Sequence, residues 1–355
     1  LGIVNGKPIL GNPGYPVSAV LSFELFGLPV LDAMLGRPRR NRPSITACAA
    51  RKIPSKLGRD EYLRVKLGRV AGRVVAAPLP RGAGSITTLT KADGLMRVPS
   101  LVEGIEQGAE VNVELLRDPG DIDRTIVAIG SHDLTLDILD DELRGRDTVL
   151  SSSHVGSLGG LLALKKKTCH ITTAHLLDSE TGVYNWSYIR RYLPEIPVKL
   201  IHGVMREQGF IVRKGNPKAI LTFADLVRED VKFVNRQAGA GTRVLLDYHL
   251  EKLGIDPLNI EGYHLEEYTH TTVAVAVLSG VADVGMGVLA AAKALDLDFV
   301  PVAVEQYDFV IPEALMDDER IAKMLDVMRG ARFKERVSAL GGYGVERTGE
   351  EVPEA

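Results

Sequence analysis

The chain is predicted to hold two architectures in series, a small all-β, barrel-like domain followed by a two-lobed α/β domain. Three observations carry this. Leu63, Val65 and Leu67 alternate with Arg64 and Lys66, and Val111, Val113 and Leu115 alternate with Asn112 and Glu114, with Gly and Pro recurring between such runs; this is the period of half-buried strands. From residue 124 onward strand-like runs alternate with helical ones, as in TIVAIG before LTLDILDDEL and TVLSS before SLGGLLALKK, which is parallel-sheet text. That second region is too long for one small sheet and has two candidate crossing segments, residues 207–214 and 305–311, so a ligand cleft between two lobes is expected. A chain of 355 residues also exceeds what one hydrophobic core usually serves.

Taken in order, residues 1–36 read as a strand (PILG), a turn constrained by Pro and Gly (GNPGYP) and an apolar helix over 17–26 that ends before Pro29. This piece is too short to fold alone. It begins without Met and already in strand-like sequence, so an upstream part is expected. Residues 37–118 form the β domain, and RDPGDIDR, 117–124, is a charged linker with Pro-Gly at its centre. Residues 119–349 form the two-lobed domain, closed by a helix over 319–340, and 350–355 are a tail.

Composition narrows the function classes. With 43 basic and 46 acidic residues the formal net charge is −3, and the basic run Lys165–Lys167 has no interleaved aromatics, so no nucleic-acid partner is expected. Those lysines read as a solvated helix end. The two cysteines, Cys48 and Cys169, lie far apart, which argues against a disulfide framework or a Cys-based metal site and for a reducing, cytoplasmic compartment. No stretch reads as apolar enough to cross a membrane, and no secretory pattern opens the chain.

The most informative stretch is residues 234–243, VNRQAGAGTR, where an apolar run stops, Gly239 and Gly241 follow, and Thr242 opens an amphipathic helix. Backbone N–H groups at a helix start, with the positive end of the macrodipole behind them, suit an anion, and Arg236, Arg243 and Thr242 add donors. The plain alternative is a tight strand-to-helix turn with a Thr cap. Two further strand-to-helix junctions carry the same residue types: IGSHDLTLD with Ser131 and His132, and SSSHVGSLGGLL with Ser153, Ser157, Gly159 and Gly160. Three donor-rich junctions in one α/β domain favour a small-oxyanion pocket.

Molybdate, tungstate and sulfate are fully ionised near neutral pH, so their site should offer donors without a carboxylate facing the ligand, whereas phosphate tolerates an acceptor. Asp133 keeps the distinction open, although it reads first as a helix N-terminal carboxylate. His170 and His175 fall on opposite faces of a strand, which argues against chelation. No metal ligands are assigned. His175 and His270 read as satisfied structural histidines or as donors to the anion. Tyr307 is a candidate donor from a crossing segment or a plain core residue, and Glu305 is expected to pair with a basic group such as Arg236. There is no G-x-S-x-G elbow, H-E-x-x-H, P-loop lysine or dinucleotide fingerprint after the first strand of the α/β region.

GKPILGNPGYPVSA, GRDEYLRVKL and GSITTLTKADGLMRVP resemble the last part of the molybdopterin molybdenumtransferases, which insert molybdate into adenylylated molybdopterin. The resemblance makes residues 1–36 a remnant of the pterin-binding domain, with Pro13, Gly14, Pro16 and Ser18 lining the cofactor pocket; Asn12 stands where the family often has an apolar residue. GSHDLTLDIL, GSLGGLLAL, AHLLDSETGVYN, REQGFIV, NRQAGAGTRVLLDYHL, GVADVGMG and FVPVAVEQYDFVIP resemble a periplasmic-binding-protein-like (type II) domain found appended to such enzymes. That implies an intracellular oxyanion-binding module for molybdate or tungstate; the donor-rich junctions and the crossing segment put Ser131, Ser157, Gly159, Arg236, Gly239, Gly241, Thr242 and Tyr307 at the anion. The acidic residues that hold Mg2+ and catalyse transfer in the enzyme family lie upstream of the PGxP turn, so no catalytic residue is assigned here. Molybdopterin and Mg2+ enter only with that upstream half. The enzyme family's dimers make a homodimer compatible, and a non-enzymatic sensor or store is the alternative function.

Overall fold

In the computed structural model, which describes residues 1–38, 41–79, 81, 86–178 and 181–354, the chain forms two compact units, Leu1–Asp123 and Arg124–Ala355. Gly84 and Ser85 of GSITTLTKADGLMRVP, and Ser179 and Glu180 of AHLLDSETGVYN, lie outside the described residues.

The first unit opens with a hairpin, β1 (Gly2–Val4) and β2 (Lys7–Ile9), turned by Asn5 and Gly6. Next come α1 (Pro16–Ser22), a π-turn over Phe23–Gly27 and α2 (Leu28–Met34). The expected stop before Pro29 does not occur. Proline lacks an N–H and its ring crowds the carbonyl one turn back; the widened turn, in which the Leu28 N–H donates to the Phe23 carbonyl, shifts the register just ahead of it and the helix runs on. The resulting 19-residue helix, Pro16–Met34, has a mean hydropathy of 1.6 and is 17% buried, so by length and composition it reaches what a membrane span needs. This corrects the expectation that no stretch is apolar enough. Arg42 donates to both carboxylate oxygens of Glu24 on this helix, at 3.0 and 2.6 Å.

The remainder of the unit is β3 (Ser44–Ala49), β4 (Ile53–Pro54), β5 (Glu61–Val70), β6 (Arg73–Pro78), α3 (Ile86–Lys91), β7 (Gly94–Val98), β8 (Gly104–Ile105) and β9 (Glu110–Leu115). Strands β3, β6, β5, β7 and β9 close into a barrel, and the period-two pattern puts Leu63, Val65, Leu67, Val111, Val113 and Leu115 in its core. Lys66, on the other phase, is buried as well and pairs with Asp93 at 2.7 Å. The linker is ordered: Asp118 accepts from the Gly120 N–H at 2.8 Å at the start of a 3-10 turn, and Ile122 packs into the barrel core. The boundary therefore falls after Asp123, not after residue 118.

The second unit contains β10 (Thr125–Gly130), α4 (Thr135–Arg144), β11 (Val149–His154), α5 (Ser157–Lys165), β12 (Thr172–Ala174), α6 (Trp186–Tyr192), β13 (Val198–Val212), β14 (Phe233–Arg236), α7 (Gly241–Leu253), β15 (Glu266–Glu267), α8 (His270–Leu278), β16 (Val284–Val288), α9 (Leu289–Ala294), β17 (Asp298–Pro312), α10 (Glu319–Arg329), α11 (Ala331–Leu340) and β18 (Tyr343–Gly344). β10 and β11 pair in parallel, and one sheet runs β12-β17-β13-β16-β14-β15 with β18 on β13. Two lobes follow from the packing. Ile126, Leu139, Leu150, Val204, Phe309 and Met324 share one core, while Phe210, Val212, Phe233, Leu246, Val284 and Met286 share another.

Strands β13 and β17, paired antiparallel along their length, cross from one core to the other. On β13 the crossing lies between Val204 and Phe210; on β17 it lies between Ala303 and Tyr307. The helix expected over 319–340 is two helices, α10 and α11, because Gly330 between them is extended (φ −68°, ψ 142°). The segment expected to be a tail is also paired: the His202 N–H donates to the Glu350 carbonyl and the Val352 N–H to the Leu200 carbonyl, at 2.8 and 2.7 Å.

Candidate functional site

Both strand crossings carry polar side chains, and the starts of helices from each lobe converge on them. From the first lobe come Ser131 to Asp133 ahead of α4 and Gly156–Ser157 at α5; from the second come residues 239–242 at α7 and His270 at α8. The approach is close. Gly156 has φ +81°, and a Cβ there would lie 2.8 Å from the Gly239 carbonyl, while one on Gly241 would lie 2.3 Å from the His175 ring. Only glycine fits at either position.

Arg206 sits directly opposite Glu305 in the β13–β17 register. Its Nε donates to Glu305 Oε1, its Nη1 to Asp133 Oδ2 at 2.5 Å, and its guanidinium lies 4.6 Å from the Tyr307 ring centre. Gln208, two residues on and so on the same face, donates through Nε2 to Glu305 Oε1 at 2.5 Å and to Thr242 Oγ1 at 3.2 Å. The other oxygen of Glu305 accepts from His175 Nδ1 at 2.9 Å, and His175 Nε2 meets the Ser131 hydroxyl at 2.7 Å. Burial by itself would raise the Glu305 carboxyl, but Arg206 and His175 outweigh it and bring it down to about 2. Burial lowers Arg206, and Glu305 with Asp133 more than restores it.

Ser131, His175 and Glu305 thus form a Ser–His–carboxylate row with the spacing of a nucleophile and its base. Much of the carboxylate's charge is already met by Arg206 and Gln208, and burial lowers His175 despite Glu305. The row therefore fixes the imidazole's tautomer more than it sharpens its basicity. Since a carboxylate only accepts, Nδ1 of the neutral ring carries the proton and Nε2 accepts from Ser131.

Arg236, at the end of β14, is 1% exposed. Among the described residues it has no carboxylate within ion-pair distance. Its Nη1 lies 3.0 Å from His270 Nδ1, its Nη2 donates to the Tyr268 carbonyl at 3.1 Å, and its Nε reaches Gln237 Oε1 and the Glu267 carbonyl. Burial, then Arg206, pushes it down to about 9, which leaves it charged at neutral pH. His132 and His270 are held well below the usual histidine range, first by burial and then by neighbouring histidines and both arginines. Buried atoms without a hydrogen-bond partner among the described residues include Arg206 Nη2, Gln208 Oε1, Gln237 Nε2 and His132 Nδ1.

Seven of the eight expected oxyanion residues fall in or beside this cluster, with changed roles for several. Thr242 does not cap α7, whose N-cap is Ala240; its hydroxyl accepts from Gln208. The Ser157 hydroxyl accepts from the His175 N–H at 3.2 Å. The Tyr307 hydroxyl is committed to the Ser131 carbonyl at 2.9 Å, so the phenol positions the loop. Gly159 is the exception: a Cβ there would meet the Val155 side chain, and Gly156 makes the close approach instead. Asp133 Oδ1 accepts from the Thr135 N–H at 2.8 Å, while its other oxygen binds Arg206 and Tyr343.

The expected pairing of Glu305 with Arg236 is corrected to Arg206, because the β13–β17 register sets those two face to face. Arg206 and Gln208 were not anticipated. Their signal was the polar interruption MREQG inside the otherwise apolar run of β13. Pro13 and Gly14 are exposed, Pro16 opens α1 and Ser18 is half-buried; all four lie in the first unit.

Comparison with known proteins fits this two-part description. Residues 140–329, more than half of the chain, match the PBP superfamily domain. The chain belongs to the PBP superfamily. Residues 46–116 match the MoeA C-terminal region (domain IV). Uncharacterized protein YvgK of Bacillus subtilis is 38% identical over 234 residues, covering 65% of this chain and 75% of its own length. Molybdopterin molybdenumtransferase 2 of Mycobacterium tuberculosis is 34% identical over 113 residues, covering 32% of this chain and 28% of its own. The molybdopterin biosynthesis moea protein structure from Pyrococcus horikosii is 36% identical, with a TM-score of 0.28, over 33% of this chain and 28% of that one. This PBP superfamily chain therefore spans little more than a quarter of the length of its molybdopterin relatives.

Proposed function

We propose that the second unit binds a tetrahedral oxyanion, molybdate or tungstate, between its lobes, and that the chain serves molybdenum cofactor biosynthesis in the cytoplasm. The observation that carries this is Arg236. A buried guanidinium with no carboxylate partner is costly, and an external anion is what would offset the cost. The unpartnered Arg206 Nη2 and Gln237 Nε2 and the starts of α5 and α7 supply further donors. The molybdenum assignment is supported by the match of residues 46–116 to the MoeA C-terminal region and by the names of the relatives. Cys48 and Cys169, both free and buried, suit a reducing compartment. Transferase activity, with molybdopterin and Mg2+, is assigned to the complete enzyme rather than to these residues, and a homodimer would follow that enzyme's assembly.

A second reading, a non-enzymatic molybdate or tungstate sensor or store, is favoured by one fact: every cluster residue lies outside the stretch matched to MoeA. Calorimetric titration with molybdate, tungstate, sulfate and phosphate tests the oxyanion assignment. Binding of the first two is expected, and no binding by any of the four defeats it. Transferase assay with adenylylated molybdopterin, run on these residues joined to a pterin-binding half, then separates the two readings: activity supports the biosynthetic role and its absence the sensor or store.

A further inference from the structure

We infer that His175 takes up a proton when the oxyanion binds, and that this proton releases the Ser131 hydroxyl to donate to the ligand. The inference rests on the oxyanion reading of the site. The Ser131 hydroxyl has one, and in the ligand-free row that proton is spent on His175 Nε2, because Glu305 Oε2 requires the ring's other nitrogen to be the donor. The Ser131 carbonyl is equally committed, accepting from Thr173 Oγ1 and the Tyr307 hydroxyl at 2.8 and 2.9 Å. So Ser131, placed among the helix starts, has nothing to offer an anion while His175 is neutral.

Protonating Nε2 reverses that bond. The imidazolium donates from both nitrogens, to Glu305 and to Ser131 Oγ, without any change of heavy-atom positions, and the hydroxyl proton turns toward the anion. The proton comes from hydronium or a buffer acid, which is left as water or buffer base; the new bond is Nε2–H, and the Ser131 O–H bond rotates without breaking.

Charge balance gives the drive. The charged groups of the cluster are Arg206 and Arg236 against Asp133 and Glu305, so a dianion arrives at a site whose fixed charges already cancel. In a buried setting the added negative charge favours taking up a proton, and one on His175 halves it. The titratable and charged groups around His175 are Glu305 and Tyr307 from β17, Arg206 from β13, Arg236 from β14 and His270 from α8. Of these only Glu305 stabilises a positive ring by direct contact. Among the described residues His132 and His270 have no such carboxylate, and the charge of Arg236 opposes protonation of both, which makes them the poorer acceptors. The start of α7 touches the His175 ring at Gly241, so an anion held there is close enough to act on it.

Molybdate is the probe to use, because near neutrality it carries no proton and any proton exchanged must come from the protein. Titration calorimetry at fixed pH in buffers of differing ionisation heat should show uptake of about one proton per molybdate, and affinity should rise by about tenfold per pH unit as pH falls from 8.5 toward 6.5. His175→Gln should still bind, with uptake near zero and affinity flat across that range. Nitrogen NMR of the wild-type imidazoles needs no variant: His175 should change from the neutral, Nδ1-protonated form to the imidazolium on adding molybdate. Tight molybdate binding with no proton exchanged and a His175 ring that stays neutral overturns the inference and leaves the oxyanion reading standing. Absence of binding by molybdate, tungstate, sulfate and phosphate alike overturns the reading itself.

Discussion

Arg236 and Glu305 are buried charged residues with opposite energetics: among the described residues the first has no carboxylate partner, whereas the second is paired with Arg206 and His175. Arg236 donates only to neutral groups, so replacing it with methionine should cost little stability in the anion-free protein, or even add to it, while removing charge-assisted bonds worth roughly 1.5–3 kcal/mol each from the complex. Arg236→Met is therefore expected to lower molybdate affinity at least tenfold in calorimetry with an unfolding midpoint in urea that stays level or rises. A midpoint that collapses would mean that Arg236 is held by the fold rather than for a ligand. Glu305 behaves in the opposite way. Its folded value of about 2 lies below its ordinary 4.5, so its stabilisation, on the order of 3 kcal/mol, is complete above pH 4.5 and lost as pH falls from there toward 2. His132 and His270 lie below 6.5 in the fold, so the unfolded chain binds protons first and stability also falls as pH drops below 6.5. The urea midpoint of the anion-free chain should decline from pH 6.5 downward and decline further below 4.5; a flat profile between pH 7 and 5 would contradict the histidine assignment.

Strands β13 and β17 show what the sequence could and could not convey. Their apolar ends were readable as strands, and the crossing near Glu305 was anticipated, because period-two patterning and flanking turns are local signals. The partners of Arg206 and Glu305 were not readable, since these two residues are 99 apart in sequence and meet through a register that includes a bulge between His202 and Val204. The donor-rich junctions at Ser131, Ser157 and Thr242 were legible for the same local reason, whereas the committed hydroxyl of Tyr307 and the packing role of Gly159 depend on tertiary neighbours. The bulge itself is testable. Gly203 lies at it, and a Cβ there would come within 2.5 Å of the Tyr307 carbonyl and 3.0 Å of the Phe309 ring. Gly203→Ala should destabilise the second unit by roughly 1–3 kcal/mol and weaken anion binding, because it pushes the two crossing strands apart beside Arg206 and Glu305. An alanine variant with wild-type midpoint and affinity would show that this crossing tolerates a change of register without cost to the site.

Across the molecule, barrel and lobes divide the labour: the period-two text of the first unit builds a barrel with its own core, and all the charged groups of the candidate site belong to Arg124–Ala355. The cluster is enclosed, with Arg206 0% and Arg236 1% exposed, so the proposed oxyanion reading requires the lobes to part about β13 and β17 to admit the ligand. Binding should then close the second unit and slow its local opening. Hydrogen–deuterium exchange of the full chain, with and without molybdate, is expected to show protection at the starts of α4, α5, α7 and α8 and along the two crossing strands, where backbone amides either face the anion or lie at the bend. Amides of the barrel strands β3, β5, β6, β7 and β9 should exchange at unchanged rates, since none of the groups proposed to hold the anion lies in that unit. Protection spread over the barrel would mean that occupancy of the oxyanion site is communicated to the MoeA-like unit, which would favour a supply site coupled to the enzyme over a separate store.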